Sequence, residues 1–188
     1  MHWLIGAASL ELEQGDITRA ETDAIGNAAN AMLAGGGGVD GAIHRAAGPE
    51  LLDSLREVKK GLPGGVLPTG RAVLTPGFAL RARFVIHCVG PIYAREEERA
   101  AELLGSCYRS ALSLCEEHAL SSIALPSIST GVYGYPVEEA APVALDAVAA
   151  VLARSKVVER CCFVLFDAPT LAAYASAAER LFGRAVPD

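Results

Sequence analysis

Asn27-Ala28-Ala29-Asn30 is followed, after 31–34, by Gly35-Gly36-Gly37-Gly38-Val39-Asp40-Gly41-Ala42-Ile43-His44. Two carboxamides, four consecutive glycines, an acid and an imidazole fall within eighteen residues, more polar and backbone-permissive chemistry than packing requires. The preceding residues, 23–28, read as a short extended segment ending at the amides, and 39–47 read as a helix. A strand that hands the chain through a glycine loop to a helix is the repeating step of an α/β fold.

The same alternation continues outward. Segments 10–14, 71–75, 84–89, 122–125 and 160–166 are rich in Val, Ile, Leu and Phe and end at Pro, Gly or Asp, as strands do. With 23–28 they make six strand candidates. Helices are expected at 39–47, 49–59, 96–117, 137–154 and 170–182. Pro136 precedes Val137-Glu138-Glu139, and Asp167 with Pro169 opens the last helix, placing acids and proline where a helix N-terminus favours them. The glycine- and proline-rich stretch 61–70 reads as a loop between layers. The expected architecture is an α/β sandwich with a largely buried sheet.

A length of 188 residues suits one domain spanning 1–188, and 52% hydrophobic with 20% charged residues places it among globular proteins. A net charge of −6 argues against a phosphate-tracking nucleic-acid binder, which clusters Lys and Arg. A small anion is still a fitting ligand, because backbone N–H groups and helix N-termini bind anions without net positive charge. The most apolar stretch, 143–153, carries Asp146 and falls short of the roughly 18 apolar residues that span a membrane. The first residues lack the basic region and apolar core of a secretory signal, so a cytoplasmic location is the expectation. Cys88, Cys107, Cys115, Cys161 and Cys162 form no CxxC and no zinc-finger spacing, so no metal site is expected; Cys88, Cys161 and Cys162 read as small buried hydrophobes.

Four glycines before a helix leave several N–H groups free to converge on one space where the helix end adds partial positive charge, and phosphate is the natural guest. A second turn, Ser127-Ile128-Ser129-Thr130-Gly131-Val132-Tyr133-Gly134, lies between the strand at 122–125 and the helix at 137. Ligands in open α/β sheets bind beyond the carboxyl ends of strands, so two such loops can grip two phosphates. Asp40 and His44 share one helix face, one turn apart, and are common acid/base groups. Asn27 and Asn30 offer paired donors and acceptors that suit sugar hydroxyls, or that satisfy the local backbone. Asp16 just past the first strand and Phe166 at the end of the last one would make an adenine pocket; by spacing alone they read equally as a helix cap and a core ring. Gly36, Gly38 and Gly41 also match G-x-G-x-x-G, but the strand ends near Ala28, too far upstream for a dinucleotide fingerprint, and Asp40 inside it would repel a pyrophosphate.

These blocks resemble the macrodomain family of ADP-ribose binders and ADP-ribosyl hydrolases. The resemblance runs through Gly15-Asp16-Ile17-Thr18, the segment 23–30, the block 35–45, Ala46-Ala47-Gly48-Pro49, Val85-Ile86-His87-Cys88-Val89-Gly90-Pro91 and the segment 126–136, in order along nearly the whole chain. Within the family it is similar to the MacroD-type branch, whose signature is an amide pair followed by G-G-V-D-G-x-I-H. The resemblance implies a three-layer α/β/α macrodomain sandwich with a mixed six-stranded sheet and no cofactor. It implies that Asp16 and Ile17 hold adenine with Phe166 nearby, and that Gly35, Gly36, Gly37, Gly38 and Val39, with Ser129, Thr130, Gly131, Val132 and Tyr133, wrap the diphosphate. The distal ribose would lie among Asn27, Asn30, Asp40, His44 and Tyr133, with Asn30, Asp40 and His44 carrying the chemistry. The implied reactions are release of ADP-ribose from acidic side chains and deacetylation of O-acetyl-ADP-ribose, with ADP-ribosylated proteins or that metabolite as partners. A non-catalytic ADP-ribose-binding module and a nicotinamide-dependent oxidoreductase are the competing readings. Gly26 stands where the family usually has a branched aliphatic residue, which implies a looser strand floor beneath the amides. Tyr133 stands where Phe is frequent.

Overall fold

The computed structural model describes residues 1–187, so position 188 of the expected domain span lies outside the described residues. Its sheet has seven strands rather than six, and the additional one is the first. His2–Ile5 (β1) folds back antiparallel on Ala8–Gln14 (β2) through Gly6, whose φ of 63° is left-handed. In this short strand Trp3 is buried and donates from Nε1 to the Gly183 carbonyl at 2.8 Å, while Leu4 faces solvent. Four residues are too few for alternation to stand out in the sequence, and the contact that holds Trp3 comes from the far end of the chain.

The other strands are Ala24–Ala29 (β3), Ala72–Pro76 (β4), Phe84–Val89 (β5), Ser122–Leu125 (β6) and Arg160–Leu165 (β7). Their order is β1-β2-β7-β6-β3-β5-β4, with β2, β7, β6, β3 and β5 mutually parallel and an antiparallel strand at each edge. The sheet is therefore mixed, as expected. The helices are Gly38–Ala47 (α1), Glu50–Lys60 (α2), Ala100–Glu117 (α3), Val137–Leu152 (α4) and Ala168–Phe182 (α5).

Period-two alternation assigns the layers. On β7, Cys161, Phe163 and Leu165 pack with α3, α4 and α5, whereas Cys162 and Val164 face the side of α1 and α2. On β3, Ile25 and Ala29 pack beneath α1 and α2, so Asn27 between them points the same way. All five cysteines are free and buried, and burial pushes the Cys107 thiol up to about 12, so they pack as neutral, weakly polar groups. Helix α3 starts at Ala100, not 96, because two short 3-10 turns, Tyr93–Arg95 and Glu97–Arg99, precede it. The buried stripe of Ala100, Leu103, Leu104 and Cys107 begins only there. Asp167 caps α5 as expected, accepting from Thr170 N at 2.8 Å. No helix among the described residues is long and apolar enough to cross a membrane.

Tyr108 on α3 links this layer to the edge where β6 ends. Its hydroxyl donates to the Pro126 carbonyl at 3.0 Å and accepts from Ile128 N at 2.9 Å, both fully buried. Tyr108→Phe strands a buried donor and a buried acceptor, so urea unfolding is expected to show a loss of about 1–3 kcal/mol.

Candidate functional site

A cavity of about 780 Å³ lies across the carboxyl ends of the five parallel strands. It is walled by Gly15, Asp16 and Ile17 after β2, Ala28 to Asn30 at the end of β3, Gly90 after β5, the 126–133 loop after β6 and Phe166 after β7. Its position is the one where open α/β sheets bind ligands, and its size suits a small organic molecule.

The first wall is the glycine loop. The Asn30 amide braces it, donating from Nδ2 to the Gly35 carbonyl at 2.8 Å and accepting from Ala34 N at 3.3 Å. Gly35 and Gly38 adopt φ of 75° and 57°, which favour glycine. Gly37 caps α1 with no side-chain hydrogen bond, and the first helical bond runs from Gly41 N to the Gly37 carbonyl at 3.1 Å. The N–H groups of Gly38, Val39 and Asp40 thus have no partner among the described residues. Gly36, Gly37, Gly38 and Val39 line the cavity, whereas Gly35, expected with them, does not.

The second wall is the loop after β6. Ser127 is held by the Tyr174 hydroxyl at 3.1 Å and the Thr130 hydroxyl at 2.8 Å, and Tyr135 N closes the turn on the Ser129 carbonyl at 3.0 Å. Ser129 is 5% exposed and sits at φ 67°, a strained conformation for a residue with a Cβ. Its Oγ occupies space that a side chain at Gly90 would need, since a Cβ there would lie 2.2 Å away. The N–H groups of Ser129, Thr130, Gly131 and Val132 have no partner among the described residues, and all four residues line the cavity with Tyr133. Two sets of unpaired N–H groups therefore belong to residues that line one cavity.

Between these walls lies Asp40, 5% exposed and on the cavity surface. Its Oδ1 accepts from Asn27 Nδ2 at 2.7 Å and lies 3.4 Å from His44 Nε2, which has no hydrogen-bond partner among the described residues. Its Oδ2 faces Gly36, 3.2 Å from where a Cβ would stand. Burial raises the Asp40 pKa above its ordinary value of 3.8, against the Asn27 hydrogen bond and the neighbouring His44 ring, which pull it down. Burial and the Asp40 charge push the Tyr133 phenol up in turn.

Asn27 is placed differently from the expectation that it faces a ribose. It is fully buried beneath Asp40 and does not line the cavity, because strand parity turns it under α1 rather than over the strand end. Asn30, one residue past the strand, does reach the cavity. His44 also stays off the wall, behind Asp40. His87 contacts Asn27 from the next strand, a role that only one mark in the sequence hints at, a lone histidine in the apolar run Val85-Ile86-His87-Cys88-Val89. Arg45 and Gly90 also line the cavity, with no local pattern to mark them. The looser floor expected beneath Gly26 is absent: a Cβ there would lie 2.9 Å from Leu125 Cδ2 and 3.1 Å from Pro126 Cδ, so the space is already filled.

At the far end Asp16 Oδ1 accepts from Thr18 N at 3.0 Å and Thr18 Oγ1 at 2.7 Å, contacts that keep its carboxyl below the ordinary range. Asp16 thus caps a short turn and lines the cavity at once, beside Ile17. Phe166 is 84% exposed on the rim, which rules out the core-ring alternative.

A mixed α/β sandwich here sets two loops with unpaired N–H groups and a buried acid around one cavity at the carboxyl ends of its parallel strands, an arrangement that suits a small anionic ligand. The chain belongs to the Macro domain family, whose profile matches residues 26–144. It is 52% identical over 164 residues to a macro domain-containing protein of Chlorobaculum tepidum, covering 87% of this chain and 92% of that one. It is 51% identical over 166 residues to the O-acetyl-ADP-ribose deacetylase of Salmonella typhimurium, covering 88% and 92%. A mutant Oceanobacillus iheyensis macrodomain with ADP-ribose superimposes with a TM-score of 0.94 at 46% identity, over 98% of this chain and 99% of that one.

Proposed function

We propose that this protein binds ADP-ribose and hydrolyses esters formed on it, releasing ADP-ribose from modified Asp and Glu side chains or acetate from O-acetyl-ADP-ribose. The carrying observation is the Asp40 carboxyl: buried, raised in pKa, tethered through Oδ1 and presenting Oδ2 where the cavity meets the glycine loop. A carboxylate so placed is suited to act as a general base. In this reading the unpaired N–H groups of both loops hold the diphosphate, and Asp16 and Ile17 hold adenine under Phe166. Asn30 orients the distal ribose, and Tyr133 closes over it. A water between Asp40 and a phosphate oxygen gives its proton to Oδ2 as it attacks. For a protein-linked ester the bond from C1″ to the carboxylate breaks and the side-chain acid departs; for the acetyl ester the water attacks the acyl carbon, the acyl C–O bond to the ribose breaks, and the ribose oxygen takes the proton from Asp40 as acetate leaves. His44 supports the Asp40 charge from 3.4 Å.

Calorimetry with ADP-ribose, paired with release assays on Asp/Glu-ADP-ribosylated protein and on O-acetyl-ADP-ribose, tests the reading. Tight binding with no release from either substrate makes this a binding module instead. Hydride transfer with a nicotinamide dinucleotide bound in preference to ADP-ribose would overturn both. A cytoplasmic setting, where thiols stay reduced, accords with five buried cysteines that form no disulfide.

Phe166 gives a separate check on the adenine end. Stacking of a base on an aromatic ring contributes about 1–3 kcal/mol, so Phe166→Ala is expected to weaken ADP-ribose binding by roughly 5- to 150-fold. Because the ring is 84% exposed, the melting temperature should hardly move. Unchanged affinity in calorimetry would remove Phe166 from the site.

A further inference from the structure

The floor beneath Asp40 contains polar groups that the reaction above does not use. Strand register sets Asn27 beside His87 on adjacent parallel strands, and both are fully buried. Asn27 Nδ2 lies 2.7 Å from Asp40 Oδ1 and 3.0 Å from His87 Nδ1, while His87 Nε2 lies 2.9 Å from Thr75 Oγ1 on β4. An amide nitrogen has two protons and no lone pair to share. One proton goes to Asp40 and the other to His87, so Nδ1 must offer its lone pair, and the ring proton sits on Nε2, donated to Thr75. Burial pushes the His87 pKa down to about 3, with His44 acting in the same direction, so the ring stays neutral and free to hold this tautomer.

Turning the Asn27 amide over would set its oxygen against the Asp40 carboxylate and the bare Nδ1, and each would then need a proton. In the orientation present, Asn27 Oδ1 has no partner among the described residues. The amide leaves its oxygen unsatisfied and directs both donors inward. The titratable groups facing Asp40 are His44 on its own helix and Tyr133 on the second loop, and His87 reaches it only through Asn27.

We propose that His87 is a positioning residue for the Asp40 base: by accepting from Asn27 it fixes the amide that tethers Asp40 Oδ1, keeps that carboxyl ionised and leaves Oδ2 turned toward the cavity. This rests on Asp40 acting as the base in the hydrolase reading. The proton inventory of the chain Thr75–His87–Asn27–Asp40 stands apart from it.

The test compares His87→Leu, which removes the acceptor, with His87→Asn, whose side-chain oxygen can take the place of Nδ1. His87→Leu should lower kcat about 10-fold with KM and ADP-ribose affinity nearly unchanged. Its acidic limb should move to higher pH, because Asp40 loses a hydrogen bond that favours its charged form. His87→Asn should recover most of the rate and return the limb. A wild-type rate and limb in His87→Leu, or equal losses in both variants with the limb unmoved, would overturn the proposal. Nitrogen NMR of the His87 ring in the wild-type protein reports the tautomer even if neither variant folds. A proton on Nε2 and a bare Nδ1 from about pH 5 to 8 is expected, and a proton on Nδ1 overturns the assignment. Wild-type protein that binds ADP-ribose yet releases nothing defeats the hydrolase reading instead, and the ring tautomer then decides the inference.

Discussion

Asp40→Ala is expected to reduce turnover of ADP-ribosyl esters by about 10²–10⁴-fold, the usual worth of general-base assistance, while ADP-ribose still binds. Most contacts proposed for the ligand come from backbone N–H groups of the two loops and from the adenine end, none of which this change removes. The loss should therefore fall on kcat and leave KM close to its starting value. Fold effects partly offset one another: a buried carboxylate that resists desolvation is deleted, but Asn27 loses an acceptor and becomes a buried unpaired donor. Asp40→Asn separates the two effects, since it keeps an oxygen for Asn27 and removes the base, and it should lose as much rate with less change in stability. In the wild type, activity should fall as pH drops through a value above the ordinary 3.8, because burial raises the Asp40 pKa and only the ionised form accepts the proton of water. Turnover near the wild-type rate in either variant would mean that another group takes the proton.

The parts of the molecule legible in the sequence are those fixed by local rules. The glycine run before α1, Asp167 capping α5 and the close approach of Asp40 to His44 follow from turn chemistry, capping and helical spacing, and each stands where these place it. Strand β1 was not legible because four residues show no period, and its anchor, the Gly183 carbonyl bound by Trp3, lies 180 positions away. Asn27 departs from its expected place for a simpler reason: a carboxamide at the end of a strand looks like a ligand contact. The parity shared by Ile25, Asn27 and Ala29 puts it beneath α1. His87 became meaningful only with the parallel register that sets it beside Asn27, a long-range fact that no local pattern carries. The filled space at Gly26 likewise depends on Leu125 and Pro126 from a neighbouring strand end.

Gly41→Ala is expected to weaken ADP-ribose binding by about 100-fold or more, measured by calorimetry, although the substitution lies in a helix. A Cβ at this position would stand 2.5 Å from the Gly36 carbonyl oxygen, well inside contact distance, and 3.2 Å from Arg45 Nη1. The arginine can swing away, but the carbonyl belongs to the glycine loop, which Asn30 braces at the Gly35 carbonyl and Ala34 N. Relief of the clash must therefore displace the loop whose N–H groups face the cavity. A 100-fold loss corresponds to about 2.7 kcal/mol, within reach of one misplaced anion nest. Helix propensity acts in the opposite direction, since Ala in place of Gly inside a helix gains roughly 0.5–1 kcal/mol, so lost affinity would not reflect a generally weakened helix. Gly61→Ala is the control away from the cavity: its Cβ would meet only the Val58 carbonyl oxygen at 3.6 Å, an ordinary contact, and its φ of −86° suits any residue, so affinity there should stay close to wild type. Equal affinities for the two variants would show that the glycine loop yields freely and that its close seating on α1 does not shape the phosphate site.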